Sequence, residues 1–255
     1  MARARKRCSG AVLGGAAYVA GGYGESRRLS RVLEPLPCVE RFDPRLGRWE
    51  MLAPLSQPRD GGEAVALGGL LYVVGGRDKH RCLSSAERFD PATGSWRQLA
   101  DMAEARQSCA AAALGGSFYV VGGYAGGRAL SSAERFDVAS DRWEPLPPMA
   151  HARRSCAAVV LGGSLYVLGG SANGRALASA ERFDPLLGSW QELPPMSQPR
   201  ESCAAAVLAG KIYAAGGFSD DRLTSSVDCF DPSAGSWSPA PPMHSARAKC
   251  AAVAL

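Results

Sequence analysis

Short apolar runs alternate with glycine, proline and Asp/Ser breaks along the whole chain. The clearest stretch reads Arg106-Gln-Ser-Cys-Ala-Ala-Ala-Ala-Leu-Gly-Gly-Ser-Phe-Tyr-Val-Val-Gly-Gly123, followed after a loop by Ser131-Ser-Ala-Glu-Arg-Phe-Asp137. Val138-Ala-Ser-Asp141 and Arg142-Trp-Glu-Pro-Leu-Pro-Pro-Met149 complete it. Each run is four to six residues long and bounded by turn formers, which predicts four short strands, a to d, folded as an antiparallel meander. Strand a is made of small residues, as in Cys109–Leu114, Cys156–Leu161 and Cys203–Leu208. Where several strands converge on an axis bulky side chains would collide, so strand a is expected innermost. Strand b supplies Tyr72, Tyr119, Tyr166 and Tyr213, and strand d supplies tryptophans, expected as apolar filling between neighbouring sheets.

The pattern repeats. Trp49, Trp96, Trp143, Trp190 and Trp237 are spaced by 47 residues, and the double glycines at 75–76, 122–123, 169–170 and 216–217 keep the same period. Gly21-Gly22 stands 54 residues before the second pair, so the first unit carries a seven-residue insertion. Units of this length cannot bury a core alone; they stack into propellers or solenoids. The repeats run approximately 5–55, 59–102, 106–149, 153–196 and 200–243, with a partial sixth at 247–255.

The joint occurrence of the pre-strand arginine, Tyr-Val-x-Gly-Gly, Glu-Arg-Phe-Asp-Pro, Gly-Ser-Trp and Pro-Pro-Met resembles the kelch repeat, most closely that of the kelch-like (BTB–BACK–kelch) group. The resemblance implies an all-β kelch β-propeller with one four-stranded sheet per blade. Five complete blades plus one extra strand a are expected, and an incomplete six-blade ring is the favoured account of the surplus strand. It also implies a non-catalytic protein–protein interaction module, resembling the substrate-recognition part of cullin-3 ubiquitin ligases. The first repeat starts almost at Met1 and no BTB or BACK segment precedes it, so cullin-3 is expected as a partner only if that region is supplied elsewhere. A cytoskeletal, actin-binding or other scaffold kelch protein is the alternative.

Composition adds limits. The 255 residues carry a net charge of +5, with four lysines among the 29 basic residues. The charge is spread over all repeats and shows no nucleic-acid motif, so nucleic acid is not an expected partner. Arg3-Ala-Arg-Lys-Arg7 could serve nuclear targeting or anion binding, or simply lead into the first strand. No run approaches a membrane span, and no signal-type stretch precedes the repeats, so a cytoplasmic location, with a nuclear one open, is expected and no membrane partner. Cys8, Cys109, Cys156, Cys203 and Cys250 share one repeat position, with Gly62 in their place in the second repeat. Equivalent positions on different blades do not pair, so they read as small buried hydrophobes; Cys38, Cys82 and Cys229 lie outside that register and lack metal-ligand spacing.

Internal repetition separates scaffold from candidate site. Arg5, Arg59, Arg106, Arg153, Arg200 and Arg247 recur at one position, which fits a structural role at least as well as a binding one. The next residue changes every time: Lys6, Asp60, Gln107, Arg154, Glu201 and Ala248. In an a–b–c–d meander this d–a segment shares a face with the b–c loops. Those loops begin Tyr23, Arg77, Tyr124, Ser171 and Phe218, and carry Arg81, Arg128, Arg175 and Arg222 further on. Aromatics and arginines dominate binding hot spots, and crowded guanidinium groups favour carboxylate or phosphate. The expected partner is therefore a protein or peptide, acidic in character, held over the central channel by Tyr23, Asp60, Arg77, Arg81, Gln107, Tyr124, Arg128, Arg154, Arg175, Glu201, Phe218 and Arg222. Solvated surface arginines are the bland alternative. Glu63 is a lone charge where other repeats place Ala110, Ala157 and Ala204, and is expected at the channel mouth or in water.

Some kelch-type propellers are copper or iron enzymes, whose metals need clustered His, Tyr or carboxylate ligands. His80, His151 and His244 lie in loops of three different repeats. There is no Ser-His-Asp or Cys-His signature and no phosphate loop. No enzyme activity, metal or cofactor is expected.

Overall fold

A computed structural model describes residues 1, 4–25, 33–220 and 222–250. The predicted insertion around Arg27-Arg28, residue Arg3 and most of the partial sixth repeat lie outside the described residues. Those described form an all-β fold without a helix, a β-propeller of five four-stranded blades. The blades comprise Ser9–Leu13, Ala16–Ala20, Val39–Asp43 and Arg48–Met51; Glu63–Leu67, Leu70–Val74, Ala86–Asp90 and Ser95–Gln98; Ala110–Leu114, Ser117–Val121, Ala133–Asp137 and Arg142–Leu146; Ala157–Leu161, Ser164–Leu168, Ala180–Asp184 and Ser189–Leu193; and Ala204–Leu208, Lys211–Ala215, Val227–Asp231 and Ser236–Ala240. Each sheet runs a-b-c-d, as the meander pattern predicts.

The chain falls into two compact units. One comprises Met1–Cys109, Gly116–Phe118 and Phe136–Glu144; the other comprises Ala110–Gly115, Tyr119–Arg135 and Pro145–Leu255. The third sheet has residues in both.

Blade 4 shows how sequence sets register. Ala157 pairs with Leu168 and Leu161 with Ser164, so Gly162-Gly163 form a two-residue turn with φ of 56° and 76°. Two consecutive positive-φ residues match the right-handed twist of the strands, and glycine adopts them without strain. Phe183 stands opposite Leu165 on one side and Trp190 on the other. The c–d turn closes on Asp184, whose Oδ1 accepts from the Leu186 and Leu187 amides.

The cores lie between blades. In the first unit Tyr18, Ala20 and Val39 of blade 1 pack on Leu71, Val73 and Phe89 of blade 2. In the second, Tyr119, Val121 and Met149 pack on Leu165, Val167 and Phe183, and Tyr166, Leu168 and Met196 pack on Ile212, Ala214 and Phe230. The predicted inter-blade role of the aromatics is thus observed, with Tyr119–Phe183 and Tyr166–Phe230 centroids 6.0 and 6.3 Å apart. The tryptophans add a polar staple. Trp96, Trp143, Trp190 and Trp237 each donate Nε1–H to a carbonyl of the preceding blade, at 2.8–2.9 Å.

The repeated arginine is structural in five of its six copies. Arg59, Arg106, Arg153 and Arg200 are essentially fully buried, and the Arg5 side chain is too. Arg153 donates to Gly169 O (2.7 Å), Ser179 O and Oγ (3.1 Å each) and Glu181 Oε1 (2.6 Å). Arg59 makes the same bonds to Gly75, Ser85 and Glu87, Arg200 to Gly216, Ser226 and Asp228, and Arg5 pairs with Glu40. Meanwhile the Arg200 carbonyl accepts from Gly170 N of the preceding blade at 2.8 Å. A Cβ on Gly169 would sit 2.3 Å from that carbonyl, which explains the double glycine. All eight cysteines are free.

Candidate ligand-binding loop face

In four repeats the residue after the repeat arginine forms a backbone bridge with the first residue of its blade's b–c loop. Lys6 pairs with Tyr23, Asp60 with Arg77, Arg154 with Ser171 and Glu201 with Phe218. Every bridge has two N–H···O bonds of 2.8–3.0 Å. The next residue is in the left-handed region even where it is not glycine: Arg7 (φ 56°), Ser108 (51°), Ser155 (51°) and Ser202 (58°). Backbone bonds join these positions between blades. Gly61 N donates to Arg7 O and Ser108 N to Gly61 O in the first unit, and Ser202 N to Ser155 O in the second. Such φ values are uncommon outside glycine and are held here by hydrogen bonds on both sides.

The b–c segments are more ordered than simple loops. Four of them form two-stranded hairpins: Tyr23–Glu25 with Leu33–Pro35, Tyr124–Ala125 with Arg128–Ala129, Ser171–Ala172 with Arg175–Ala176, and Phe218–Ser219 with Arg222–Leu223. Sequence reasoning missed these elements. The available signals were Gly126-Gly127 and Asn173-Gly174, whose positive φ angles of 57°, 82°, 51° and 76° make two-residue turns.

In the second unit, Arg128, Arg175 and Arg222 each open the returning hairpin strand and are exposed. An open groove of about 220 Å³ lies between two hairpins, lined by Tyr124, Gly127, Arg128, Arg154, Ala172, Asn173 and Gly174. The Arg154 guanidinium stacks over the Tyr124 ring, 5.2 Å from its centroid, and its Nε donates to Ser171 Oγ at 3.2 Å. Its two terminal nitrogens have no partner among the described residues. Glu201 and Phe218 are joined by their bridge, both half-buried.

The first unit is arranged differently. Asp60, expected as an accessible specificity residue, is only 5 % exposed. Arg7 accounts for this: at a position where the next four repeats have glycine or serine, it reaches Asp60 Oδ1 with Nε (3.1 Å) and Gln107 Oε1 with Nη2 (3.2 Å). Asp60 and Gln107 are therefore brought together by an internal cation. Arg77 and Arg81 are exposed, but Arg81 sits in a turn capped by Asp78 Oδ1 rather than on a hairpin strand. Tyr23 is half-buried under Lys6, whose Nζ is 5.6 Å from the ring centroid.

Glu63 is not simply in water. Burial in strand a pushes its carboxyl up to about 8, and no ion pair among the described residues offsets the cost. His151 stands beside Glu181, with Nδ1 3.7 Å from Oε1. Among the described residues no group of three or more His, Cys, Asp or Glu could hold a metal ion, and no helix is long and apolar enough to cross a membrane.

A propeller whose blades are fixed by repeated side chains and whose loop face alone varies defines a repeat-built recognition scaffold. The KLHDC2/KLHL20/DRC7 Kelch-repeats domain profile matches residues 104–255, and the Kelch motif matches 4–56 and 58–103. The chain belongs to the kelch-repeat family. It is 52 % identical over 48 residues to kelch-like protein 4 of Homo sapiens, covering 19 % of this chain and 7 % of that protein. It is 45 % identical over 60 residues to kelch-like protein 1 of Mus musculus, covering 24 % of this chain and 8 % of that protein. The matches thus span a small part of those relatives. The solved structure of YjhT superposes with a TM-score of 0.81 at 15 % identity, over 93 % of this chain and 84 % of that one, which shows the shared fold.

Proposed function

We propose that this propeller is a non-catalytic protein-recognition module that grips an acidic segment of its partner with the hairpin and d–a face. The observation that carries the reading is Arg154. Stacking on Tyr124 and the Nε bond to Ser171 hold its guanidinium in one orientation, leaving both terminal amines directed to a ligand. A preorganised planar fork loses little freedom on binding and matches a carboxylate through two parallel bonds. Arg128 at the same groove adds a second cation, and Asn173 adds amide donors. The exposed Arg175 and Arg222 on further hairpins extend the basic surface.

Substrate presentation to a cullin-3 ligase is the finer reading, and it depends on a BTB–BACK region joined to this domain. An actin-binding or scaffold role is the alternative. Display of a random peptide library on the purified chain tests the recognition chemistry. Enrichment of Asp- and Glu-containing peptides, lost with Arg154→Ala at unchanged Tm, supports it. Enrichment indifferent to acidic content, or retained by Arg154→Ala, overturns it. Cullin-3 co-precipitation by the protein expressed from its full gene separates the adaptor from the scaffold.

A further inference from the structure

Asn173 is the only asparagine among the 255 residues, and a glycine follows it. The two form the turn of the blade 4 hairpin. Ser171 pairs with Ala176 and Ala172 with Arg175, while Asn173 and Gly174 take φ of 51° and 76°. Both turn residues are exposed, and a Cβ placed on Gly174 would meet nothing within 4 Å. The turn is therefore uncovered on that side, and two residue pairs close it. A ribbon so short opens locally at small cost. Asn173 and Gly174 also line the groove that holds Arg154.

The hairpins of the second unit put a different residue at the first turn position: Gly126 (φ 57°), Asn173 (51°) and Asp220 (46°). In blade 5 Phe218 pairs with Leu223 and Ser219 with Arg222, so that hairpin closes in the same register around an aspartate. An acid therefore fits this position without a change of turn. At this position blade 4 differs from blade 5 by an amide in place of a carboxylate, and Asn-Gly is the dipeptide that makes that exchange spontaneously.

We infer that Asn173 is a spontaneous modification site, whose conversion to aspartate or isoaspartate sets a carboxylate against the Arg154 guanidinium and closes the groove to acidic ligands. The chemistry needs only water. With the turn open, the Gly174 amide nitrogen attacks Asn173 Cγ, and the side-chain nitrogen leaves as ammonia with the amide proton. One water then opens the succinimide at either carbonyl, and the new carboxyl gives its proton to solvent. Glycine leaves the attacking nitrogen unshielded, whereas a side chain at 174 would crowd it. The closed turn restrains the attack, so hairpin opening sets the rate. The product carboxylate enters a groove in which the two terminal nitrogens of Arg154 have no partner among the described residues, its Nε being held by Ser171. A carboxylate there matches the guanidinium fork. The consequence for ligands rests on the acidic-segment reading above; the modification and its effect on Arg154 do not.

The test incubates the folded parent for several weeks at mildly alkaline pH, beside Asn173→Asp and Asn173→Gly, the latter giving blade 4 the Gly-Gly turn of blade 3. Peptide mapping should find aspartate and isoaspartate accumulating at 173 in the parent. Phenylglyoxal, which attacks terminal guanidinium nitrogens, reads Arg154 with no ligand present. Its rate at Arg154 should fall about two- to fivefold in Asn173→Asp and in the converted parent, the range a partly exposed charge pair supports. In Asn173→Gly that rate should not change with incubation. Asn173→Asp should keep its Tm within about 2 °C of the parent, since blade 5 already carries an aspartate there. An intact Asn173 after the incubation, an Arg154 labelled equally fast in Asn173→Asp, or a larger fall in Tm would overturn the inference. Binding of a fluorescent oligo-glutamate peptide then judges the two readings apart. Weaker binding by Asn173→Asp than by the fresh parent supports closure of the groove, and equal binding overturns it. A fresh parent that binds no oligo-glutamate while Arg154 is still protected on conversion overturns the acidic-segment reading and upholds the modification.

Discussion

Arg153→Ala is the sharpest test of how the blades are held. The substitution removes four donor contacts: Gly169 O, two on Ser179, and Glu181 Oε1. It also leaves the Glu181 carboxylate in a fully buried site, with the backbone amides of Ala150 (2.7 Å) and His151 (3.2 Å) as hydrogen-bond donors. Removing one partner of a buried ion pair costs about 3–5 kcal/mol, most of it the desolvated charge left behind. A domain of this size loses about 2–4 °C of Tm per kcal/mol, so the expected fall is about 6–20 °C. Differential scanning fluorimetry at neutral pH reads it directly. Two alanine substitutions calibrate the result. Arg247→Ala removes the same residue type in the same register from solvent, and Arg154→Ala removes the adjacent groove residue; neither should shift Tm by more than about 2 °C. Equal losses in Arg153→Ala and Arg154→Ala, or a fall under about 3 °C for Arg153→Ala, would refute the clamp.

Glu63 gives a pH signature. Its folded carboxyl titrates at about 8 against an ordinary 4.5, so between those values the native protein keeps a proton that the unfolded chain has lost. Stability therefore falls as pH rises through that window and is flat below it. Glu63→Gln should abolish the slope, matching the parent near pH 4 and exceeding its Tm near pH 8.5; parallel curves would refute the assignment. A pair of glycines separates backbone strain from close approach. Gly162→Ala, at φ 56° with nothing within 4 Å of the new Cβ, should cost about 1 kcal/mol in urea unfolding. Gly169→Ala, at φ 58° with the Arg200 carbonyl 2.3 Å away, should cost about 2–4 kcal/mol, and equal costs would deny the contact.

Strand order, turn positions and inter-blade aromatics were legible in the sequence because each rests on a residue type repeated at a fixed interval. Trp190 and Tyr166 have counterparts that do the same work in other blades, so repetition alone identifies them. The arginine clamp was half legible. Its donor recurs visibly, but its acceptors, Glu40, Glu87, Glu181 and Asp228, are charges inside a strand, where burial is decided only when the next segment packs. Asp60 was misread for a related reason. Variation at that position signals freedom of the fold from its side chain, yet Arg7, a change one residue along in another repeat, supplies a partner that buries it. The groove at Arg154 was not legible as a groove, because it joins a d–a residue of one blade to the hairpin of the preceding one.

The bridges explain why this face tolerates such variation. Lys6, Asp60, Arg154 and Glu201 are each fixed by two backbone bonds that make no demand on the side chain. The left-handed residue that follows is fixed by backbone bonds as well. Side chains on this frame can change charge and size at small cost to stability, while their Cβ positions stay set by the buried arginine one residue earlier. On the proposed reading, stability and specificity fall to adjacent residues, the buried Arg153 and the groove residue Arg154. If Arg154 grips a ligand as proposed, that ligand gains orientation from a clamp it never touches, and loosening the clamp should weaken binding even though the groove residues are intact.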